Sequence, residues 1–316
     1  MGLRRFLAHR LLYLIPTMLL VTVVVFSILH LIPGNPVDAL VDMSAGPEIR
    51  QAAIKRYGFD KPIVEQYGIW LSQVIRGDLG TSILHSRPVS LIVGEALPRT
   101  IYLAIGGMFF AVLLSFPLGI FAAVKRKSLV DYGAQVAALT GLSLPSFWLA
   151  QMLMLFFGLV MRWLPIVGYV PPSESIPGFL RHILLPSFAL GFEMTGVLTR
   201  MTRSTMLEEL NKDYVQTHRS LGLSETGIVG WFTLKNAMIP TLTIASMRFA
   251  ALLGGTAIIE QVFSYPGIGK IILDGITSKD YPVVQGGIIV LSFSFILINL
   301  VVDILYKWLD PRIQME

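Results

Sequence analysis

The chain has no cysteine among its 316 residues. That excludes a disulfide scaffold, a thiol nucleophile and a thiolate metal site, and it removes redox chemistry as a clue to compartment. Charge is scarce too: Asp, Glu, Lys and Arg make up 14%, against about 25% in a soluble domain. No Gly-x-x-x-x-Gly-Lys-[Ser/Thr] phosphate loop occurs, so nucleotide is not bound by that route. The five histidines, His9, His30, His85, His182 and His218, are scattered without ligand spacing, which argues against a bound metal. The net charge of +5 is spread out, with no basic block, and nucleic acid is a poor candidate partner. Neither a Ser/His constellation nor clustered carboxylates at helical spacing occur, so no catalytic residue and no cofactor bound by this chain are assigned.

What the chain does have is apolar length. Hydrophobic residues make up 54%, mean hydropathy is +0.68, and several apolar runs exceed ~18 residues. These features predict an all-α, polytopic membrane protein. Charge-free runs place six transmembrane helices near 11–32, 100–124, 132–161, 183–203, 237–262 and 282–306. Arg4, Arg5 and Arg10 before the first run also fit a signal peptide. The run is too long for an h-region, however, and lacks a small-x-small site, so it reads as a retained signal anchor.

Short basic segments set the orientation. Lys125-Arg126-Lys127 follows the second span, and Arg200, Arg203, Lys212, Arg219 and Lys235 flank the loop after the fourth. With the basic termini (1–10 and 307–316), these are predicted to be cytoplasmic, which gives a multi-pass protein with both ends inside. The long segment 33–99 holds six basic and seven acidic residues between Asn35 and Leu97, and loops longer than ~60 residues cross largely regardless of charge. It is predicted to be external, with helices over Pro47–Tyr57, ended by Gly58, and Pro62–Ile75, ended by Gly77. Those helices either cover the outer ends of the spans or dock an external partner. Residues 100–306 form the five-helix core.

Within that core, the loop 204–236 carries the most information. Asp213 can N-cap a helix from Tyr214 to Leu221, and Gly222 can end it in the left-handed conformation. Ser224 can cap a second helix from Glu225 to about Lys235, with Ile228, Val229 and Phe232 as an apolar stripe. The first helix is too short to stand alone, so packing must hold it. Two readings stand: an ordinary interfacial helix-turn-helix, or a short rigid helix presented to a partner outside the bilayer.

Two ionisable residues interrupt the spans, Glu193 in the fourth and Arg248 in the fifth. A charge at the bilayer centre costs at least ~2.5 kcal/mol, so it faces a cavity or a counter-charge. Either the two pair between helices, or Arg248 lines a pathway and attracts a carboxylate, or they meet a partner subunit or snorkel. Met247, Leu252 and Leu253 belong to the core, to a partner interface or to a gate. Gly254-Gly255 permits close helix approach. Tyr265-Pro-Gly267 and Tyr281-Pro282 bracket a short outer helix, Ile268 to Ser278.

The loop 204–236 resembles the coupling loop of ABC importer permeases, whose pattern is Glu-Ala-Ala, three residues, Gly, then a Pro at the next span. Gly222 and Pro240 match, whereas Gln216-Thr217-His218 replaces Glu-Ala-Ala. The whole chain is similar to the first permease subunit of the dipeptide, oligopeptide, glutathione and nickel importers. The matching stretches are His30-Leu-Ile-Pro-Gly-Asn-Pro36, Gly77-Asp-Leu-Gly80, Arg200-Met-Thr-Arg-Ser204, Asp213-Tyr-Val, Lys235-Asn-Ala-Met-Ile-Pro240, Phe263-Ser-Tyr-Pro-Gly-Ile-Gly269, Asp280-Tyr-Pro-Val-Val-Gln-Gly286, Asp303-Ile-Leu-Tyr306 and Asp310-Pro-Arg312.

The resemblance implies a subunit in a prokaryotic plasma (inner) membrane that pairs with a second, homologous permease. Two cytoplasmic ATPase subunits, which hold ATP and Mg, would drive it, and an external solute-binding protein would load it. Asp213, Tyr214, Val215, Gln216, Thr217, His218, Arg219, Leu221, Gly222 and Leu223 would then couple to an ATPase. Glu193, Met247, Arg248 and Leu252 are the candidate pathway residues. Short peptides are the expected cargo, with nickel chelates, glutathione or another small solute as alternatives. A channel or secondary transporter would need more polar pathway residues and inverted halves, and a pure scaffold would not need Arg248.

Overall fold

The computed structural model describes residues 3–31, 46–57 and 60–309. Among these, regular structure is helical apart from one isolated bridge between Thr81 and Pro88. In chain order the helices are α1 (Leu3–Leu31), α2 (Pro47–Tyr57), α3 (Ile63–Ile75), α4 (Val89–Val124), α5 (Leu129–Ser143) and α6 (Ser146–Leu153), which continues as a π-helical stretch Met154–Val160. Then come α7 (Ile176–Leu210), α8 (Asp213–Ser220) and α9 (Glu225–Gly227), which runs through a π-helical stretch Ile228–Thr233 into α10 (Leu234–Val262). α11 (Ile268–Ser278) and α12 (Tyr281–Leu309) complete the chain. Gly58, the expected stop of α2, and the motif Asp310-Pro-Arg312 lie outside the described residues.

Among the described residues, four helical segments are long and apolar enough to cross a membrane: Val89–Val124, Ile176–Leu210, Glu225–Val262 and Tyr281–Val302. Counting α5 and α6 as one bent span makes five, and the apolar stretch of α1, Leu12–Ile28, is shorter. The expected straight span 132–161 is in fact two pieces bent by 104°. Pro145 is the cause. It lacks a backbone donor and drives Leu144 out of the helical region, to φ −83°, ψ 123°. The second helix begins at Val89 rather than near 100, because Val89, Ile92, Val93 and Ala96 are buried and extend its packing surface.

The chain divides into two compact units, and α4 and α12 contribute to both. The first lies within Met1–Thr100 and Pro266–Leu300. Its core joins Val89, Val93 and Ala96 to Ile268 and Val283. The buried Asp280 carboxylate ties the 82–84 segment to the start of α12, accepting from Ser82 Oγ (2.5 Å) and from the Ile83 and Leu84 amides (3.2 and 3.1 Å). Tyr67 and Trp70 of α3 pack on Phe26 of α1, and the Tyr67 hydroxyl meets Thr22 Oγ1 at 2.8 Å. Ile63, Gln66, Tyr67 and Trp70 recur at helical spacing along α3, and these contacts use the last two. Gln66 is buried, whereas Ile63 is exposed.

The second unit, within Ile101–Tyr265 and Val301–Gln314, is built around α7. Two thirds of the apolar window of α7 is buried, against 33% in α4 and in the segment containing α10. Leu185, Ala189, Leu190, Met194 and Leu198 of α7 pack with Leu103 and Ala111 of α4 and with Ala245, Leu252 and Ile259 of α10. Small residues allow this closeness, as is usual where membrane helices meet without a hydrophobic driving force. At Gly191 an added Cβ would run into the Gly107 carbonyl of α4.

Candidate functional site

The loop after α7 is held rigid at both ends. Glu209, in the last turn of α7, accepts from Lys212 Nζ with one oxygen and from the Tyr214 hydroxyl (3.0 Å) with the other. The neighbouring carboxylate holds the Lys212 ammonium above the ordinary lysine value. Lys212 takes the N-cap position of α8 with no side-chain bond, so Asp213 is the first helical residue and not the predicted cap. Its charge still favours the helix by facing the positive end of the dipole. Val215 is fully buried and pins the helix to the protein.

The far end of α8 closes as expected. Gly222 has φ +78°. Its amide donates to the Arg219 carbonyl (3.0 Å), and the Leu223 amide donates to that of His218 (3.2 Å). This is the Schellman pattern, which satisfies otherwise orphaned carbonyls. Ser224 caps the following helix by accepting from the Gly227 amide at 3.3 Å. That helix does not stop near Lys235 but continues through the π-helical stretch into α10. Within the stretch, Thr233 Oγ1 donates to the Ile228 carbonyl at 3.0 Å.

Side chains then brace α8 against the stretch that follows it. The His218 ring lies 4.3 Å from the Phe232 ring, and Tyr214 meets His218 edge-on at 5.9 Å. Arg219 forms a bidentate pair with Glu225, at 2.7 and 3.2 Å. The ten residues proposed for coupling therefore split by role. Tyr214, Val215 and His218 face inward, Arg219 bridges the turn, and Asp213, Gln216, Thr217, Leu221, Gly222 and Leu223 are exposed. The result is a short helix whose outward face is available and whose position relative to α7 and α10 is fixed.

Glu193 and Arg248 are both exposed on the membrane-spanning helices, and no ion pair joins them. The paired reading is therefore set aside. Met247 is 66% exposed, whereas Leu252 is buried at 7% in one core cluster with Leu190, Met194 and Ala245. Gly254 has open space where a Cβ would lie, so among the described residues it serves no close helix approach.

Sequence reasoning missed one constellation. Asp131 in the first turn of α5 is buried and accepts from Arg203 of α7 through both oxygens, at 2.6 and 2.8 Å. Gln135 Nε2 and the Lys127 amide complete its shell at 2.8 and 2.9 Å. The pair ties α5 to α7 two turns before Glu209. Its sequence trace was an acidic residue at the edge of an apolar run, which the boundary at 132 left outside the span.

Residues 115–315 match the family "binding-protein-dependent transport system inner membrane component", and residues 3–104 match its N-terminal counterpart. The dipeptide transport system permease protein DppB of Alkalihalophilus pseudofirmus is 39% identical over 326 residues, covering 97% of this chain and 98% of its own. The glutathione transport system permease protein GsiC of Salmonella choleraesuis is 39% identical over 309 residues, covering 98% of each. A chain of the MetNI methionine ABC transporter superposes with a TM-score of 0.57 at 16% identity, over 70% of this chain and 97% of that one, which is a likeness of fold. All-helical, multi-pass and spanned by both family matches, this chain belongs to the inner membrane components of binding-protein-dependent transport systems, the permease subunits of ABC importers whose ATPase is a separate subunit.

Proposed function

We propose that this permease carries short peptides across a prokaryotic inner membrane. It would pair with a second, homologous permease and be driven by two cytoplasmic ATPase subunits that hold ATP and Mg, with an external binding protein delivering the solute. Six spans, with α1 as the first and the bent α5–α6 pair as the third, would put both termini in the cytoplasm. Residues 33–99 would then lie outside and the 204–236 loop inside. One observation carries the coupling role: α8 is braced by Glu209, Val215, the His218–Phe232 stack and the Schellman turn, yet exposes Gln216, Thr217 and Leu221. A helix held this firmly passes a push from an ATPase to α7 and α10 instead of absorbing it.

Peptide cargo rests on the dipeptide relative. Equal identity to the glutathione permease supports a second reading, in which the cargo is glutathione, itself a small peptide. Uptake of labelled di- and tripeptides by cells carrying the complete transporter, with and without this subunit, tests the proposal. Glutathione and nickel chelates serve as competitors. Subunit-dependent peptide uptake is expected. Transport of a chelate with no peptide uptake would overturn the cargo and keep the importer.

A further inference from the structure

Resting on the peptide reading above, we infer that Glu193 and Arg248 form the solute-selecting pair of this subunit, taking the ammonium and the carboxylate ends of a short zwitterionic peptide. Between residues 185 and 199 of α7, Glu193 is the single exposed position. On α10, the exposed positions between 246 and 256 are Met247, Arg248, Ala251, Gly254 and Gly255. Apart from Met247, that strip is small or polar, unlike the exposed Phe109, Leu113 and Phe121 of α4, which suit acyl chains. A charge facing hydrocarbon at mid-span is costly, so this strip belongs to a polar space. Neither side chain makes an ion pair or hydrogen bond with another described residue.

The register of the two helices sets the spacing. Thr205 Oγ1 meets Thr241 Oγ1 at 3.4 Å, and Leu190 lies 3.8 Å from where a Gly255 Cβ would stand. The helices are therefore antiparallel, and Arg248 is offset from Glu193 by about one turn, ~6 Å along the axis. Arg248 sits about 40° round α10 from Leu252 and Glu193 about 100° round α7 from Met194, in the same rotational sense, which on antiparallel helices puts both side chains on one flank of the seam that buries Met194 and Leu252. Opposite charges about one turn apart, with several ångströms of side-chain reach, match a peptide of two or three residues, whose extended backbone spans roughly 7–11 Å. The guanidinium offers a bidentate fork for the carboxylate, and the Glu193 carboxylate accepts from the ammonium.

The test uses the complete transporter in proteoliposomes with its binding protein saturated by dialanine, reading dialanine moved per ATP hydrolysed. R248Q and E193Q are each expected to lower this ratio roughly tenfold, the value of one charge-assisted contact. R248K is expected to retain most of it, and the exchange E193R/R248E to recover it, because a zwitterion can bind end for end. Wild-type ratios in both single variants would overturn the inference and leave peptide transport standing. So would an exchange variant as inactive as the singles in an intact complex, or loss of the second permease from R248Q on size exclusion. A wild-type transporter that moves no peptide would overturn both readings.

Discussion

At the scale of the residue, the most consequential contact is the one between Asp131 and Arg203. An ion pair taken out of water gains little over an apolar pair of the same volume, but removing one partner leaves a buried charge uncompensated. D131N is therefore expected to destabilise the protein on the order of 3 kcal/mol, read as thermal unfolding in detergent, whereas the double variant D131L/R203M should recover most of the loss. Equal losses in the two variants would mean that the pair holds α5 and α7 by shape and not by charge. Gly222 is a different case. No atom stands within 4 Å of an added Cβ, so only its φ of +78° demands glycine. G222A should cost about 1 kcal/mol from backbone strain alone. In hydrogen exchange that appears as a roughly fivefold loss of protection at the Leu221–Leu223 amides, with G222N less affected.

Among the elements, α8 has too few residues to be stable by itself, so its rigidity is borrowed from its neighbours. His218 supplies part of it, in the place where importer permeases of the general pattern carry alanine. H218A removes the contact with Phe232, worth about 0.5–1.5 kcal/mol. The expected result is an assembled complex that still hydrolyses ATP but moves less solute per ATP, with H218F close to wild type. Unchanged coupling in H218A would show that Glu209 and Val215 suffice. The α5–α6 break illustrates how legible an element was. Leu144-Pro145 stood in the sequence as a helix-stopping pair, yet the length of the apolar run outweighed it in the expected span 132–161. The bounds of α11 agree with expectation because Gly267 and the turn at Lys279 are local signals, whereas the predicted cap at Asp213 gave way to the Glu209 clasp.

For the whole molecule, the absence of cysteine is experimentally useful, because any single introduced thiol is the only one present. In the proposed orientation, S72C on α3 should react with an impermeant maleimide added outside intact cells, and T226C should react only after permeabilisation. Both positions are exposed in the structure. The reverse pattern would invert the topology and with it the side on which α8 meets an ATPase.

The sequence by itself determined what depends on neighbours along the chain: apolar runs of membrane length, the left-handed stop at Gly222 and the cap at Ser224. Each is read within a few residues and survives whatever the rest of the chain does. Only the tertiary structure decided which side of each span faces protein. Leu252 turned inward and Met247 outward, Asp131 found Arg203 from 72 residues away, and Glu193 and Arg248 stayed apart. The reason lies in the solvent. In water a helix buries its apolar face and shows its polar one, so its period reveals its orientation. In a bilayer the lipid side is as apolar as the packed side, and only packing itself separates them.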